Sequence, residues 1–328
     1  MTAAGAPAAG TQRLETRQRV AVLVPCFNEE AAIARVIADF RAALPQATIY
    51  VYDNNSTDRT ADVARAAGAV VRRETRQGKG NVVRRMFSDI DADIYVLVDG
   101  DATYDAASAP AMVARLIENR LDMVVAARDH TEGEAYRRGH VTGNKLLTAF
   151  VGTVFGANFA DILSGYRVFS RRFVKSFPVL SRGFEIETEL TVHALEIELP
   201  VDEIRAPYFA RPEGSQSKLS TWRDGFRILG TILKLYRFER PLPFFSSIGI
   251  ALAAVSIGLA APIVIHFIEE GNVPRLPTAI LSTGLMLAAF VSIAAGLILD
   301  TVTRGRREMK LIAYLAQKAP GEDWDRRS

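Results

Sequence analysis

Two periods of apolar residues alternate along the first two thirds of this chain. Val20-Ala21-Val22-Leu23-Val24 is a continuous run ended by Pro25, and residues 48–52 repeat the pattern before Asp53-Asn54-Asn55-Ser56. Runs with no polar side read as strands covered on both faces, the habit of parallel sheets. Between them, residues 29–43 place Ile33, Val36, Ile37 and Phe40 on one helical face, with acids in the first turn. The unit is βαβ. Residues 57–67 predict a second helix capped by Ser56 or Thr57, 69–71 a third strand, 79–88 a third helix and 94–98 a fourth strand. A further strand, 121–127, ends at Arg128. Such alternation predicts an α/β fold, a mostly parallel sheet flanked by helices with ligands at the carboxyl ends of its strands. Beyond residue 157 the pattern is less regular: 161–169 reads as a loop entering a strand, 183–199 as an acidic helix, and 201–209 as an edge strand between Pro200 and Pro207.

The last third changes character. Residues 244–267 and 277–299 contain no charged residue, and each is long enough to cross a bilayer as a helix, which predicts a transmembrane hairpin. Lys234, Arg237 and Arg240 precede the first span, and Arg304, Arg306, Arg307 and Lys310 follow the second. Positive flanks on both sides place the large amino-terminal part on the cytoplasmic face. Residues 218–240 carry apolar positions between Lys218, Arg223, Arg227, Lys234 and Arg237, the pattern of an amphipathic helix on a membrane surface or of an ordinary core helix. Residues 1–19 lack a signal-peptide core and read as a disordered tail. The expected organisation is therefore tail 1–19, domain 20–217, juxtamembrane helix 218–240, spans 244–267 and 277–299, and basic tail 300–328.

Charge and cysteine content narrow the chemistry. The net charge of +3 is modest, and its basic excess sits beside the spans, which suits lipid phosphate and not nucleic acid. A single cysteine, Cys26, excludes an intramolecular disulfide. His130, His140, His193 and His266 have no metal-ligand spacing. No Gly-x-Gly-x-x-Gly follows the first strand, and Gly78-Lys79-Gly80 lacks the hydroxyl of a Walker loop. The strongest chemical signal is Asp99-Gly100-Asp101 directly after the fourth strand. A turn at Gly100 can bring both acids around one hard cation carrying a diphosphate, although Asp-Gly-Asp is also ordinary turn chemistry.

Four separated motifs share one order and spacing: Val24-Pro25-Cys26-Phe27-Asn28-Glu29-Glu30, Asp53-Asn54-Asn55-Ser56-Thr57-Asp58, Gly78-Lys79-Gly80 and Asp99-Gly100-Asp101. They resemble the family-2 glycosyltransferases of the GT-A fold over residues 20–218. With residues 161–167, Arg211-Pro212-Glu213-Gly214-Ser215, Ser217-Lys218-Leu219 and the two spans, the chain is similar to the polyprenyl-phosphate branch, which includes dolichol-phosphate mannose synthase. The resemblance implies a membrane-anchored, inverting transfer of a sugar from a UDP or GDP sugar to polyprenyl phosphate, for glycan or cell-envelope assembly.

It also implies roles. Pro25, Asn28 and Glu29 would meet the base, and Asp53 the base or ribose; read alone, Asn28 is equally a helix cap and Asp53 an Asx turn. Asp99 would face ribose and metal, and Asp101 would hold Mg2+ or Mn2+, with Thr103 as a weak third ligand where relatives carry an amide. Lys79 would help hold the donor or is an exposed lysine at a helix start. Arg211 and Lys218 match the motif that contacts the donor diphosphate, and Arg128 with Arg137 or Arg138 lies where the family holds acceptor phosphate, a task suited to the arginine fork. Asp161 is the candidate base or orienting carboxylate, unless it pairs with Arg167. An ionised lipid phosphate is already nucleophilic, so positioning and charge balance would carry most of the rate.

Two other classes share these motifs. A processive polysaccharide synthase has a Gln-x-x-Arg-Trp segment and more spans, and neither Trp222 nor Trp324 lies in such a segment. A catalytically inactive membrane adaptor would keep the fold and not the intact acid motifs. A homo-oligomer built on the hairpin is compatible with the pattern.

Overall fold

Each two-faced apolar run of the amino-terminal part becomes a strand with helices on both sides. The computed structural model describes residues 18–130, 152, 159–181, 183, 185–210, 230, 234, 236–273 and 275–320. In chain order, β1 (Val20–Cys26), α1 (Ile33–Ala43), β2 (Thr48–Asp53), α2 (Thr60–Ala66), β3 (Val70–Arg73), α3 (Lys79–Asp89) and β4 (Ile94–Leu97) form the βα repeats. Then come α4 (Ala109–Glu118), β5 (Met123–His130), β6 (Arg167–Ser170), α5 (Arg171–Ser176), α6 (Ile186–Glu196) and β7 (Val201–Tyr208). The seven strands make one sheet in the order β3-β2-β1-β4-β6-β5-β7. All pairings are parallel except those of β6, which runs antiparallel to both β4 and β5. The strand expected at 201–209 is indeed an edge.

Alternate side chains along each strand feed two cores, as a period of two requires. Leu23, Tyr95, Leu97, Met123, Val125 and Phe169 pack with α3, α5 and α6. Val22, Val24, Val51, Val96, Val124 and Val168 pack with α1 and α4 on the other face. Three boundaries differ from the expectation for local reasons. The α1 helix starts at Ile33 because the Glu29 carbonyl first closes a turn with the N–H groups of Ala32 and Ile33 at 3.0 Å. The α2 helix starts at Thr60 because Asp58 accepts from the Thr60 N–H at 3.0 Å, while Ser56 and Thr57 bond to Asn28 instead of capping. Arg19 does not belong to a loose tail: its N–H donates to Asp93 at 2.8 Å and its guanidinium reaches Asp91 at 3.2 Å. The α4 helix, with a proline in its first turn where the missing N–H costs nothing, was not expected.

The two charge-free segments lie in α7 (Pro241–Glu270) and α8 (Leu276–Leu315), both long and apolar enough to cross a membrane. Small residues Gly249, Ser256, Ser282, Ala289 and Gly296 are buried between them, while Ile250, Ile257, Leu287, Phe290 and Leu297 point outward. Ser256 donates to the Ser282 carbonyl at 2.6 Å, tying the helices where lipid would supply no partner. The α8 helix is 40 residues long, so it continues well past the span through the segment expected as a basic tail. Its basic residues meet acids on α6 and just before α7. Lys310 lies 2.5 Å from Glu196, Arg306 lies 3.2 Å from Glu239, and the Tyr314 hydroxyl donates to Asp122 at 2.9 Å beneath the Arg172 guanidinium. Most of the juxtamembrane segment 218–240 lies outside the described residues, as do residues 1–17.

His193 on α6 is buried against Phe173 and Phe177, with Nε2 3.1 Å from the Ser176 hydroxyl. Burial, helped by Lys310, pulls its pKa from 6.5 down to about 3. The folded state thus resists protonation that the unfolded state accepts, so this stability is complete above pH 6.5 and is lost as pH falls toward 3. At pH 4.5 the loss should be about 3 kcal/mol. Thermal unfolding in detergent at pH 7 and 4.5 should show a smaller acid-induced drop for His193→Leu than for the wild type; equal drops would remove His193 from the acid limb.

Candidate active site

The carboxyl ends of β1, β2 and β4 open on one edge of the sheet, and polar side chains there first shape the loops. Asn28, in the left-handed region at φ 54°, accepts from the Thr57 N–H at 2.8 Å, and its own N–H donates to Ser56 at 2.9 Å. Asn28 therefore joins the β1 and β2 loops and does not cap α1. Asp53 accepts from the Ser56 N–H three residues on at 3.2 Å, closing the loop after β2 beside Pro25 and Cys26 at the end of β1. The Glu29 N–H donates to the Thr60 hydroxyl at 2.8 Å. Asn54, not singled out from the sequence, is buried and uses its whole amide: it donates to the carbonyls of Glu74 at 2.9 Å and Arg76 at 2.8 Å and accepts from the Gly78 N–H at 2.7 Å. These bonds aim the 74–78 loop and deliver Lys79 to the site.

Lys79 is not an exposed helix-start lysine. Its Nζ sits 2.5 Å from Asp99 and 2.5 Å from Glu187, with Lys79 and Glu187 buried and Asp99 keeping 30% of its side chain exposed. Burial alone would pull the ammonium down, but Asp99 and then Glu187 hold it well above its ordinary value and charged. Asp99 fits there because Gly165 has no side chain: a Cβ would lie 2.4 Å from its Oδ2. Asp101 is buried, and Oδ1 accepts from both the Thr103 N–H at 3.3 Å and the Thr103 hydroxyl at 2.7 Å across a turn with Ala102 at φ 58°. The Thr103 proton thus orients Asp101, and the hydroxyl oxygen keeps lone pairs with which it could still serve as a weak metal ligand.

Two acids with hard oxygen donors suit Mg2+ or Mn2+. Among the described residues no three His, Cys, Asp or Glu side chains gather as a metal cage. The donor set fits a cation that takes one or two carboxylates and completes its shell from phosphates and water.

The other candidates meet on the far side of Gly165. Asp161 receives a two-pronged bond from Arg128, at 2.6 Å from Nε and 2.9 Å from Nη2, so its partner is Arg128 and not Arg167. Both Asp161 oxygens are thus engaged by the Arg128 fork. Arg167 is fully buried and bonds the carbonyls of Ile162 and Ser164. Arg128 also lies 5.5 Å from the Tyr208 ring centre, and Tyr104, whose hydroxyl accepts from the Gly165 N–H at 2.8 Å, packs against Tyr208. Glu203 accepts from the N–H groups of Ala160 and Asp161 and fixes the base of this loop. Glu187, Tyr104 and Glu203 were missed in the sequence because each acts through a distant segment. Arg137, Arg138, Arg211 and Lys218 lie outside the described residues.

The profile of glycosyl transferase family 2 matches residues 21–177. Glycosyltransferase AglJ of Haloferax volcanii is 33% identical over 92% of this chain and 100% of its own length. The chain belongs to glycosyl transferase family 2. The dolichyl-phosphate hexose transferase of the same organism is 27% identical over 67% of this chain and 95% of its own. Among solved structures, glucosyl-3-phosphoglycerate synthase from Mycobacterium tuberculosis in complex with Mn2+ and uridine-diphosphate-glucose aligns with a TM-score of 0.55 at 23% identity, covering 67% of this chain and 78% of that one. At that identity the likeness concerns the fold, which is GT-A, a mostly parallel sheet flanked by helices.

For a family-2 transferase, the Gly165 gap is a sharp test. Gly165→Ala should push the Asp99 carboxylate off Lys79 and lower glycosyl transfer about 100-fold, the cost of an ångström-scale misplacement. Circular dichroism melts should stay near wild type, because the added methyl meets side-chain atoms only. Full activity in a folded variant would mean that the position of Asp99 does not matter.

Proposed function

We propose that this protein is a membrane-anchored, inverting glycosyltransferase that moves a sugar from a UDP or GDP sugar to polyprenyl phosphate on the cytoplasmic face. The observation that carries the reading is the shared edge of the sheet: the acid pair Asp99 and Asp101 stands beside the Asn28 and Asp53 loops, in a chain whose last third is an apolar helical hairpin. A transferase fixed to the bilayer meets an acceptor confined to it. The similarity to a dolichyl-phosphate hexose transferase supports the same acceptor class.

In this reading Asn28, Glu29, Asp53 and Pro25 form the rim for base and ribose, Asp99 faces the ribose and metal, and Asp101 holds Mg2+ or Mn2+. The metal, when bound, neutralises charge on the departing diphosphate. Arg211 and Lys218 contact the diphosphate, and Arg128 with Arg137 or Arg138 receives the acceptor phosphate. A lipid phosphate oxygen attacks the anomeric carbon from the face opposite the leaving group. The bond from that carbon to the nucleoside diphosphate breaks with its electron pair, and the product is the polyprenyl-phosphate sugar with inverted configuration. Asp161 keeps the Arg128 guanidinium oriented toward that phosphate until the ionised acceptor arrives, and no strong base is needed.

The test is a donor screen in membranes with undecaprenyl and dolichyl phosphate, scored by lipid-linked product. One UDP or GDP sugar should give product with wild type and none above background with Asp101→Ala, which should remain folded and membrane-bound. Product from a soluble sugar acceptor but from neither lipid phosphate would sink the acceptor assignment.

A further inference from the structure

Lys79 presents an arrangement that donor binding alone does not explain. Its ammonium is held at 2.5 Å by two carboxylates from different segments, Asp99 after β4 and Glu187 in the first turn of α6. Burying such a trio is expensive, and an apolar triplet of similar volume would pack there at less cost. Only Asp99 remains partly open to the site, so the internal cation lies directly behind the carboxylate that an incoming cation would meet. Two like-charged cations cannot share one carboxylate in a poorly solvated pocket without strong repulsion. Glu187 is already committed to Lys79, and among the described residues no three His, Cys, Asp or Glu side chains gather as a metal cage, so the site offers a lone metal little to offset that repulsion. A nucleoside diphosphate changes the balance, because its oxygens complete the metal shell and its negative charge faces the ammonium.

We propose that Lys79 is a resident cation: clamped by Glu187, it occupies Asp99 in the donor-free protein, so divalent metal settles at Asp101 only together with the diphosphate. Glu187 is then a positioning residue that acts through Lys79. This inference rests on the nucleotide-sugar reading of the site, and its test separates the two. Mn2+ binding to the full-length protein in detergent is followed by electron paramagnetic resonance, with Mn2+ alone and with UDP or GDP. Wild type should bind Mn2+ at least tenfold more tightly when the matching nucleotide is present. The charge-neutral double variant Lys79→Met/Glu187→Leu should bind Mn2+ alone at least tenfold more tightly than wild type, and its dependence on nucleotide should shrink. Glu187→Gln, which leaves Lys79 wholly to Asp99, should weaken binding of Mn2+ alone by threefold or more. Tight Mn2+ binding by wild type without nucleotide overturns the resident cation and leaves the nucleotide-sugar reading standing. So does an unchanged affinity for Mn2+ alone in the folded double variant, or, if that variant does not fold, an unchanged or higher affinity in Glu187→Gln. Absence of UDP and GDP binding by wild type with Mn2+ overturns both.

Discussion

The Arg167 guanidinium is fully buried at the start of β6 and donates to the carbonyls of Ile162 at 2.6 Å and Ser164 at 2.9 Å and to the Thr191 hydroxyl at 2.9 Å. Burial lowers its pKa only to about 10, opposed first by Glu187 and then by Asp161, so it stays charged near neutral pH. Those bonds close the 161–166 loop against the sheet and tie it to α6. A charged donor serving neutral acceptors in a dry interior is a strong restraint, and its loss would leave buried carbonyls without partners. The loop it shapes supplies Asp161 to Arg128 on one side and the vacant Cβ position of Gly165 to Asp99 on the other. The Asp99 and Asp161 parts of the candidate site therefore both depend on one fully buried residue.

That dependence follows from topology. Because β6 enters the sheet antiparallel between β4 and β5, its amino end lies at the same edge as the carboxyl ends of its neighbours. A loop leading into β6 thus joins the site that loops leaving β4 and β5 already form. A wholly parallel sheet would have put the 161–166 segment at the opposite edge.

The strands β1, β2 and β4 could be read from the chain because both of their faces are apolar, and the acids after them because motifs at strand ends keep their spacing. The hairpin was equally plain, since long stretches without charge have few alternatives. What local pattern could not give was partnership across sequence. Glu187 was one acid among five in a helix read simply as acidic, yet it is the one turned inward to Lys79, 108 positions away. Asp161 had an arginine six residues on, and its partner instead came from β5, since Arg167 was needed beneath the loop. The basic residues after residue 300 read as a flank for lipid phosphate, although the acids that receive several of them lie on α6 and before α7.

Helix α6 joins these pieces mechanically. Its first turn carries Glu187, which grips Lys79 at the site, and its last turn carries Glu196, which is gripped by Lys310 and approached by Arg307 at 3.6 Å. Eleven residues of helix span about 16 Å. A helix of that length, buried along most of its residues, does not bend easily, so the membrane hairpin and the Asp99 carboxylate are referenced to one stiff element. In the proposed transfer to a lipid phosphate, the height of the acid pair above the bilayer surface would decide whether attack is geometrically allowed. A loose tether between domain and hairpin would let that height vary. The polar dock of Lys310 on Glu196 and of Tyr314 on Asp122 and the Arg172 guanidinium removes that freedom on the side of the domain that carries α5 and α6.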